Sequence, residues 1–251
     1  MSRRRIVLLL TLAVALGGST AALAQRGRGG GRGGRLQAGP TRPARYAQPD
    51  DFDGGFQFCR VVFRQGNGDG AGWNVDWPRT DINLSVRAAE LSRIPVSMVL
   101  VRLSSPEVFH CPFLMMSEPG GAYLDDAELA NLRAYLLKGG FLWADDFWGD
   151  FAWDVWESQL RRALPSSTYP IVELPRTHPI FHQAYDATAL PQIPGIAYWD
   201  GGTRTSERGP ETATPHVRGI SDAQGRLMVL MTFNTDLGDA YEREAENPAY
   251  F

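Results

Sequence analysis

The sequence predicts an α/β fold, a three-layer sandwich with a mostly parallel central sheet and a C-terminal hairpin. Two observations carry that expectation. Short apolar runs alternate with helix-length segments from residue 56 to residue 164, and strands joined this way lie parallel, linked by right-handed crossovers. Near the end, two β-rich runs are separated only by a turn, which reads as antiparallel.

The elements follow in order. Residues 56–63 (FQFCRVVF) are a mostly apolar run that suits a buried strand. Thr80 can cap a helix that places Leu84, Ala88 and Leu91 on one face, and Pro95 stops it. Residues 96–103 (VSMVLVRL) and 113–116 (FLMM) are the next two strands. The following helix is the most strongly signalled. Asp125 at the N-cap and Glu128 three residues on form a capping-box variant, and Leu124 with Leu129 suits a hydrophobic staple. Leu129, Leu132 and Leu136 make an inward stripe, and Gly139 supplies a left-handed stop. Residues 141–144 (FLWA) form the fourth strand. A helix follows over 150–164, with Trp153, Trp156 and Leu160 on one face and charges that suit the helix dipole. After Pro165 the alternation fades, until 216–220 and 227–233 form a hairpin around Asp222-Ala223-Gln224-Gly225.

The N-terminus has a different composition. Arg3, Arg4 and Arg5 precede an apolar run over 6–16, and small residues lead to Ala22-Leu23-Ala24 before Gln25. This is the layout of a secretory signal cleaved after Ala24, which implies a periplasmic or secreted protein. The run falls short of the roughly 18–20 residues needed to span a bilayer. Residues 25–50 are rich in Gly, Arg and Pro and read as a flexible linker, leaving 51–251 as a single α/β domain. Nine arginines and one aspartate precede residue 51, so the remainder holds 16 basic and 27 acidic side chains, a net of −11. That balance argues against nucleic acid as a partner of the domain. The Arg/Gly linker suits electrostatic contact with an anionic membrane surface.

Ligands of open parallel sheets bind at the carboxyl ends of the strands. Those ends deliver Arg64 and Asn67, then Arg102, then Glu118, then Asp145, Asp146 and Trp148, and finally Asn234 and Asp236, which together are the ligand-binding candidates. Asp145 and Asp146 follow an apolar strand directly, so they must be solvated, paired or partly protonated; Arg64 and Arg102 are expected partners. Being adjacent on an extended chain they point to opposite sides, so the two are not expected to serve one ion. Asp146 or Asp150 can instead cap the next helix. The Gly66–Gly72 loop lacks the endings of nucleotide-binding loops. His178 and His182 are four apart, but Pro179 disfavours the helix that zinc binding would need. No metal site and no cofactor are expected. Export permits a disulfide between Cys59 and Cys111, although spacing does not establish it.

Five stretches together resemble the bacterial domain-of-unknown-function 4159 family: Phe58-Cys59-Arg60-Val61, residues 112–116 and 129–146 (LANLRAYLLKGGFLWADD), His178-Pro179-Ile180-Phe181-His182, and Asn234-Thr235-Asp236-Leu237-Gly238. The resemblance implies a fold like class I glutamine amidotransferases, found in exported or membrane-associated bacterial proteins, with no settled activity. Enzymes of that fold carry a cysteine nucleophile after the strand that follows the Lys-Gly-Gly segment. Here Asp145-Asp146 stand there, and no His-x-Glu pair occurs near the C-terminus. Glutaminase chemistry is therefore not expected. The resemblance also implies a helix after Tyr241-Glu242-Arg243-Glu244, so either a shortened member or a truncated reading frame is expected.

The resulting expectation is a non-catalytic ligand-binding or assembly module of the cell envelope, recognising a small polar or glycan ligand or an envelope protein. Trp73, Trp77, Tyr123 and Trp148 would form an aromatic rim beside the carboxylates. The alternative is a carboxylate-dependent or metal-dependent hydrolase that acts on a glycan or other envelope substrate through Asp145, Asp146 and Glu118.

Overall fold

The computed structural model describes residues 45–66, 70–187, 189–199, 203–244 and 246, all within one compact unit. The expected signal, residues 1–24, and most of the expected linker, residues 25–50, lie outside the described residues. Nine strands are named among them: β1 (Phe56–Val61), β2 (Arg64–Gln65), β3 (Val96–Val101), β4 (Phe113–Ser117), β5 (Ala122–Tyr123), β6 (Leu142–Asp145), β7 (Val172–Glu173), β8 (His216–Ser221) and β9 (Leu227–Phe233). The four α-helices among the described residues are α1 (Arg79–Ser92), α2 (Asp126–Leu137), α3 (Gly149–Ala163) and α4 (Leu237–Glu242).

Seven strands form one sheet in the order β3-β1-β4-β6-β9-β8-β7, and β2 pairs with β5 apart from it. From β3 to β9 every pairing is parallel; β8 and β7 add antiparallel ones. The fold is thus mixed α/β with a mostly parallel sheet, and the expected hairpin is β8–β9.

Period-two alternation sorts the strand side chains to two faces. Cys59, Val61, Leu114, Met116, Leu142, Ala144, Val229 and Met231 face the large core under α2 and α3, where they meet Leu129, Leu132, Leu136, Trp156 and Leu160. Phe58, Met115 and Trp143 face the other way, against Leu84 of α1 and Leu237 of α4. Asp125 caps α2 as expected, accepting from the Glu128 amide while the Glu128 carboxylate accepts from the Asp125 amide.

Helix α1 departs from the apolar stripe expected of it. Its buried residues are Thr80, Asp81 and Ser85, while Leu91 is exposed. Thr80 does not cap it: the residue lies inside the helix and donates its hydroxyl to the Gly238 carbonyl. The cause is Arg60, a fully buried cation on the inner face of β1. Its guanidinium grips Asp81 at 2.9–3.0 Å from Nε and 2.6 Å from Nη2, so α1 turns a carboxylate toward β1. Cys59 and Cys111 form a disulfide that ties β1 to the connection before β4. Residues ahead of β1 also join the sheet: the Ala47 amide donates to the Leu100 carbonyl and the Leu100 amide to the Arg45 carbonyl, along the outer edge of β3.

Candidate functional site

From β1 the chain crosses to β3 on one side and then returns to β4 on the other, so the sheet's switch point lies between β1 and β4. In open α/β sheets this is where a crevice opens at the carboxyl ends of the strands. Four carboxylate or amide residues reach that edge on left-handed backbone: Asp76 (φ 58°) from the β2–α1 connection, Glu118 (φ 50°) after β4, Asp146 (φ 59°) after β6 and Asn234 (φ 57°) after β9. Among the described non-glycine residues the only other one is Arg93, at the end of α1. Such backbone costs on the order of 1–3 kcal/mol per residue and gathers where function requires a fixed side chain.

Each side chain is held by a specific contact. Asp145 accepts from the Thr232 hydroxyl and, at 2.8 Å, from the Gly238 amide. Asp146 turns the other way and accepts from the Trp148 indole N–H at 3.0 Å. Asp236 accepts from the Asp239 amide at 2.6 Å, and Asp239 accepts from the Ile196 amide at 2.7 Å. Asn234 accepts from the Gly149 amide at 3.0 Å, which satisfies the first turn of α3. Neither Asp146 nor Asp150 takes the N-cap position of α3, which Trp148 occupies without a side-chain capping hydrogen bond. Glu118 accepts from the Gly72 amide and lies so close over Gly70 that a Cβ there would sit 2.1 Å from its carboxyl group.

The result is a buried, strongly acidic cluster. Oxygens of Asp76, Asp146 and Asp236 lie within 4.8 Å of one another, and so do those of Asp76, Asp239 and Glu242. Arg243 engages Asp239 and Glu242, whereas among the described residues no Arg or Lys forms an ion pair with Asp76, Asp146 or Asp236. Burial, then repulsion from Asp239 and Glu242, pushes the Asp76 carboxyl up. Burial, then Glu118 and Glu207, does the same to Asp146, and burial, then Asp146 and Asp76, to Asp236. Asp145 is pushed up to about 7 by burial, against the opposing pull of its Thr232 and Gly238 hydrogen bonds.

Of the residues proposed from sequence, Glu118, Asp145, Asp146, Trp148, Asn234 and Asp236 gather here. Arg64 and Arg102 do not pair with Asp145 or Asp146. Arg64 bonds Asp125 at 2.8 Å and lies over Tyr123, and Arg102 bonds Tyr46 at 2.7 Å. Both guanidiniums lie close enough to carboxylate or aromatic neighbours to be satisfied locally. Asn67 lies outside the described residues. Trp148 is buried at 2% exposure, so it fixes Asp146 instead of offering a ring to solvent; Trp73 and Trp77 pack on each other, with centroids 6.1 Å apart. His178 and His182 have separate partners, the Ile180 amide for the first and Asp186 with the Arg176 carbonyl for the second. Sequence reasoning missed Asp76, Asp239 and Glu242. The only hint of Asp76 was a lone carboxylate between two tryptophans, in Trp73-Asn74-Val75-Asp76-Trp77.

No curated protein matches the chain. A family model described as "Domain of unknown function (DUF4159)" matches residues 57–250, a span that contains every strand of the main sheet after its first residue and every carboxylate of the cluster. The chain belongs to the DUF4159 family.

Proposed function

We propose that this protein is an exported ligand-binding module of the bacterial cell envelope, and that its site is the carboxylate-lined edge over the sheet's switch point. The observation that carries the reading is a trio of carboxylates, Asp146 and Asp236 buried and Asp76 half-buried with one oxygen shut off from solvent, with no basic side chain ion-paired to them among the described residues. Buried carboxylates without a paired cation are costly to ionise, and a ligand that brings positive charge removes that cost. The ligand class is a polar envelope molecule such as a glycan, which carries a cationic group itself or binds alongside a cation.

Three further features support parts of this reading. The Cys59–Cys111 disulfide suits an oxidising compartment, in keeping with the signal-like N-terminus. The parallel sheet covered on both faces supports a class I glutamine amidotransferase-like fold. So does the tight strand–turn–helix at Asp146, with its left-handed backbone in the place of a nucleophile elbow. A carboxylate at that elbow, in place of a thiol, gives no route to glutaminase chemistry.

The test is hydrogen exchange of the purified protein with a glucosamine tetramer, its N-acetylated counterpart and spermidine, each alone and with calcium. At least one probe is expected to protect residues 73–80, 145–149 and 234–240, and Asp146→Asn should abolish the protection. Silence from every probe in both conditions, or protection that survives the substitution, overturns the reading. The same elbow geometry favours one second reading, a carboxylate-dependent hydrolase. It requires that Asp145→Asn, Asp146→Asn or Glu118→Gln lower turnover of a glycan substrate.

A further inference from the structure

We propose that Asp76, Asp146 and Asp236 form a site for one hard divalent cation of the calcium, magnesium or manganese class. The proposal rests on reading this edge as a ligand-binding site and names the chemistry of its first occupant.

Four observations converge on it. The donors are all carboxylate oxygens, with no imidazole or thiolate, a set that suits hard cations and not zinc or copper. Their spacing permits an ion: the three oxygens all lie within 4.8 Å of one another, no farther apart than two opposite ligands each about 2.4 Å from a shared centre.

The third observation is independent of the acidity of the cluster. Asp76 Oδ2 is shut off from solvent and accepts no hydrogen bond, so a buried carboxylate oxygen is aimed into the trio with nothing to satisfy it. A buried acceptor in that condition costs on the order of 1–3 kcal/mol, more if charged. Asp146 and Asp236 differ: each has one oxygen engaged by a protein N–H, from Trp148 and Asp239 respectively. Those bonds fix both carboxylates in orientation, as the supporting contacts of metal ligands do.

The fourth is a close approach of the main chain at Gly238. A Cβ on Gly238 would sit 3.0 Å from Asp76 Oδ2, 3.2 Å from Asp236 Oδ1 and 3.7 Å from Asp145 Oδ2. The main chain of α4 thus comes up against the converging carboxylates with no side chain between. Asp145 is not a ligand, because the Thr232 hydroxyl and the Gly238 amide each occupy one of its oxygens. The neighbouring set of Asp76, Asp239 and Glu242 does not offer a second position, since Arg243 already supplies positive charge to Asp239 and Glu242.

The purified protein, stripped with EDTA and dialysed, is titrated calorimetrically with calcium, magnesium and manganese chloride and melted in parallel. At least one salt is expected to bind with a stoichiometry of one ion per chain. That salt should raise the melting temperature by about 5–10 °C at a hundredfold excess over its dissociation constant. Asp146→Asn and Asp236→Asn should each weaken binding tenfold or more while the circular dichroism spectrum is retained; Asp76→Asn replaces either one that fails to fold. No heat and no shift with any of the three salts overturns the cation site, as does binding that survives the substitutions. If the glucosamine tetramer alone protects the edge while all three salts are silent, the cation site fails and the binding reading stands. If the salts bind and every glycan probe is silent even with calcium, the reverse holds.

Discussion

At the scale of single residues, the arrangement depends on where charge is buried and what answers it. Arg60 is enclosed at 0% exposure and meets Asp81 through a fork of three hydrogen bonds. Removing one partner of such a pair leaves the other charged in the interior, at a cost of roughly 3–5 kcal/mol. Arg60→Ala is therefore expected to lower stability by that amount in urea unfolding, and the double variant Arg60→Met/Asp81→Leu to recover most of it. A loss below about 1 kcal/mol for the single variant would mean that the pair is not buried as described. Neither partner was legible in the sequence. Arg60 stands inside a run read as mostly apolar and Asp81 in the first turn of a helix, where acidic residues are common, and a buried cation declares itself only through a partner 21 positions away. Asp145 and Asp146 were legible, since two carboxylates directly after an apolar strand have few places to go. The expected divergence of their side chains is visible in their separate partners, Thr232 and Gly238 for one and Trp148 for the other.

Among the elements, α2 was read closely from sequence because its cap and apolar stripe are local, and α3 through its apolar stripe alone, since Trp148 and not an aspartate stands at its N-cap. The strand-end residues were legible for a related reason: in a parallel sheet every strand presents its carboxyl end on the same edge, so listing those ends amounts to listing a site. The loops were less legible. Asp76 reaches the cluster through a connection whose course is set by contacts elsewhere, including the grip of Glu118 on Gly72. The disulfide is another link that spacing left open. It closes a 52-residue separation, which in the chain-entropy account is worth about 4 kcal/mol. Cys59→Ser/Cys111→Ser is expected to cost roughly 2–5 kcal/mol in denaturant unfolding. Equal midpoints with and without the bond would show that it does not brace the fold.

For the whole molecule, the buried carboxylates make stability depend on pH in a definite direction. Asp145 is held at about 7 against an ordinary 3.8, and Asp76, Asp146 and Asp236 are displaced the same way, by burial first and by neighbouring carboxylates second. Between pH 4 and pH 7 the folded cation-free chain keeps protons that the unfolded chain has released, so its stability falls as pH rises through that window. Melting of the EDTA-treated protein should thus drop by several degrees from pH 5 to pH 8, by an amount corresponding to roughly a few kcal/mol. A flat or rising profile would contradict the burial of these groups.

The pairing of Arg45–Ala47 with β3 also has a mechanical meaning. Any pull on the chain ahead of Arg45 is borne first by two main-chain hydrogen bonds to Leu100 and by the ion pair between Arg45 and Asp51. These lie on the outer edge of the sheet, three strands from β6 and its aspartates. The edge would peel before the load reached the disulfide-braced β1, so the attachment acts as a fuse that yields while the carboxylate edge keeps its shape.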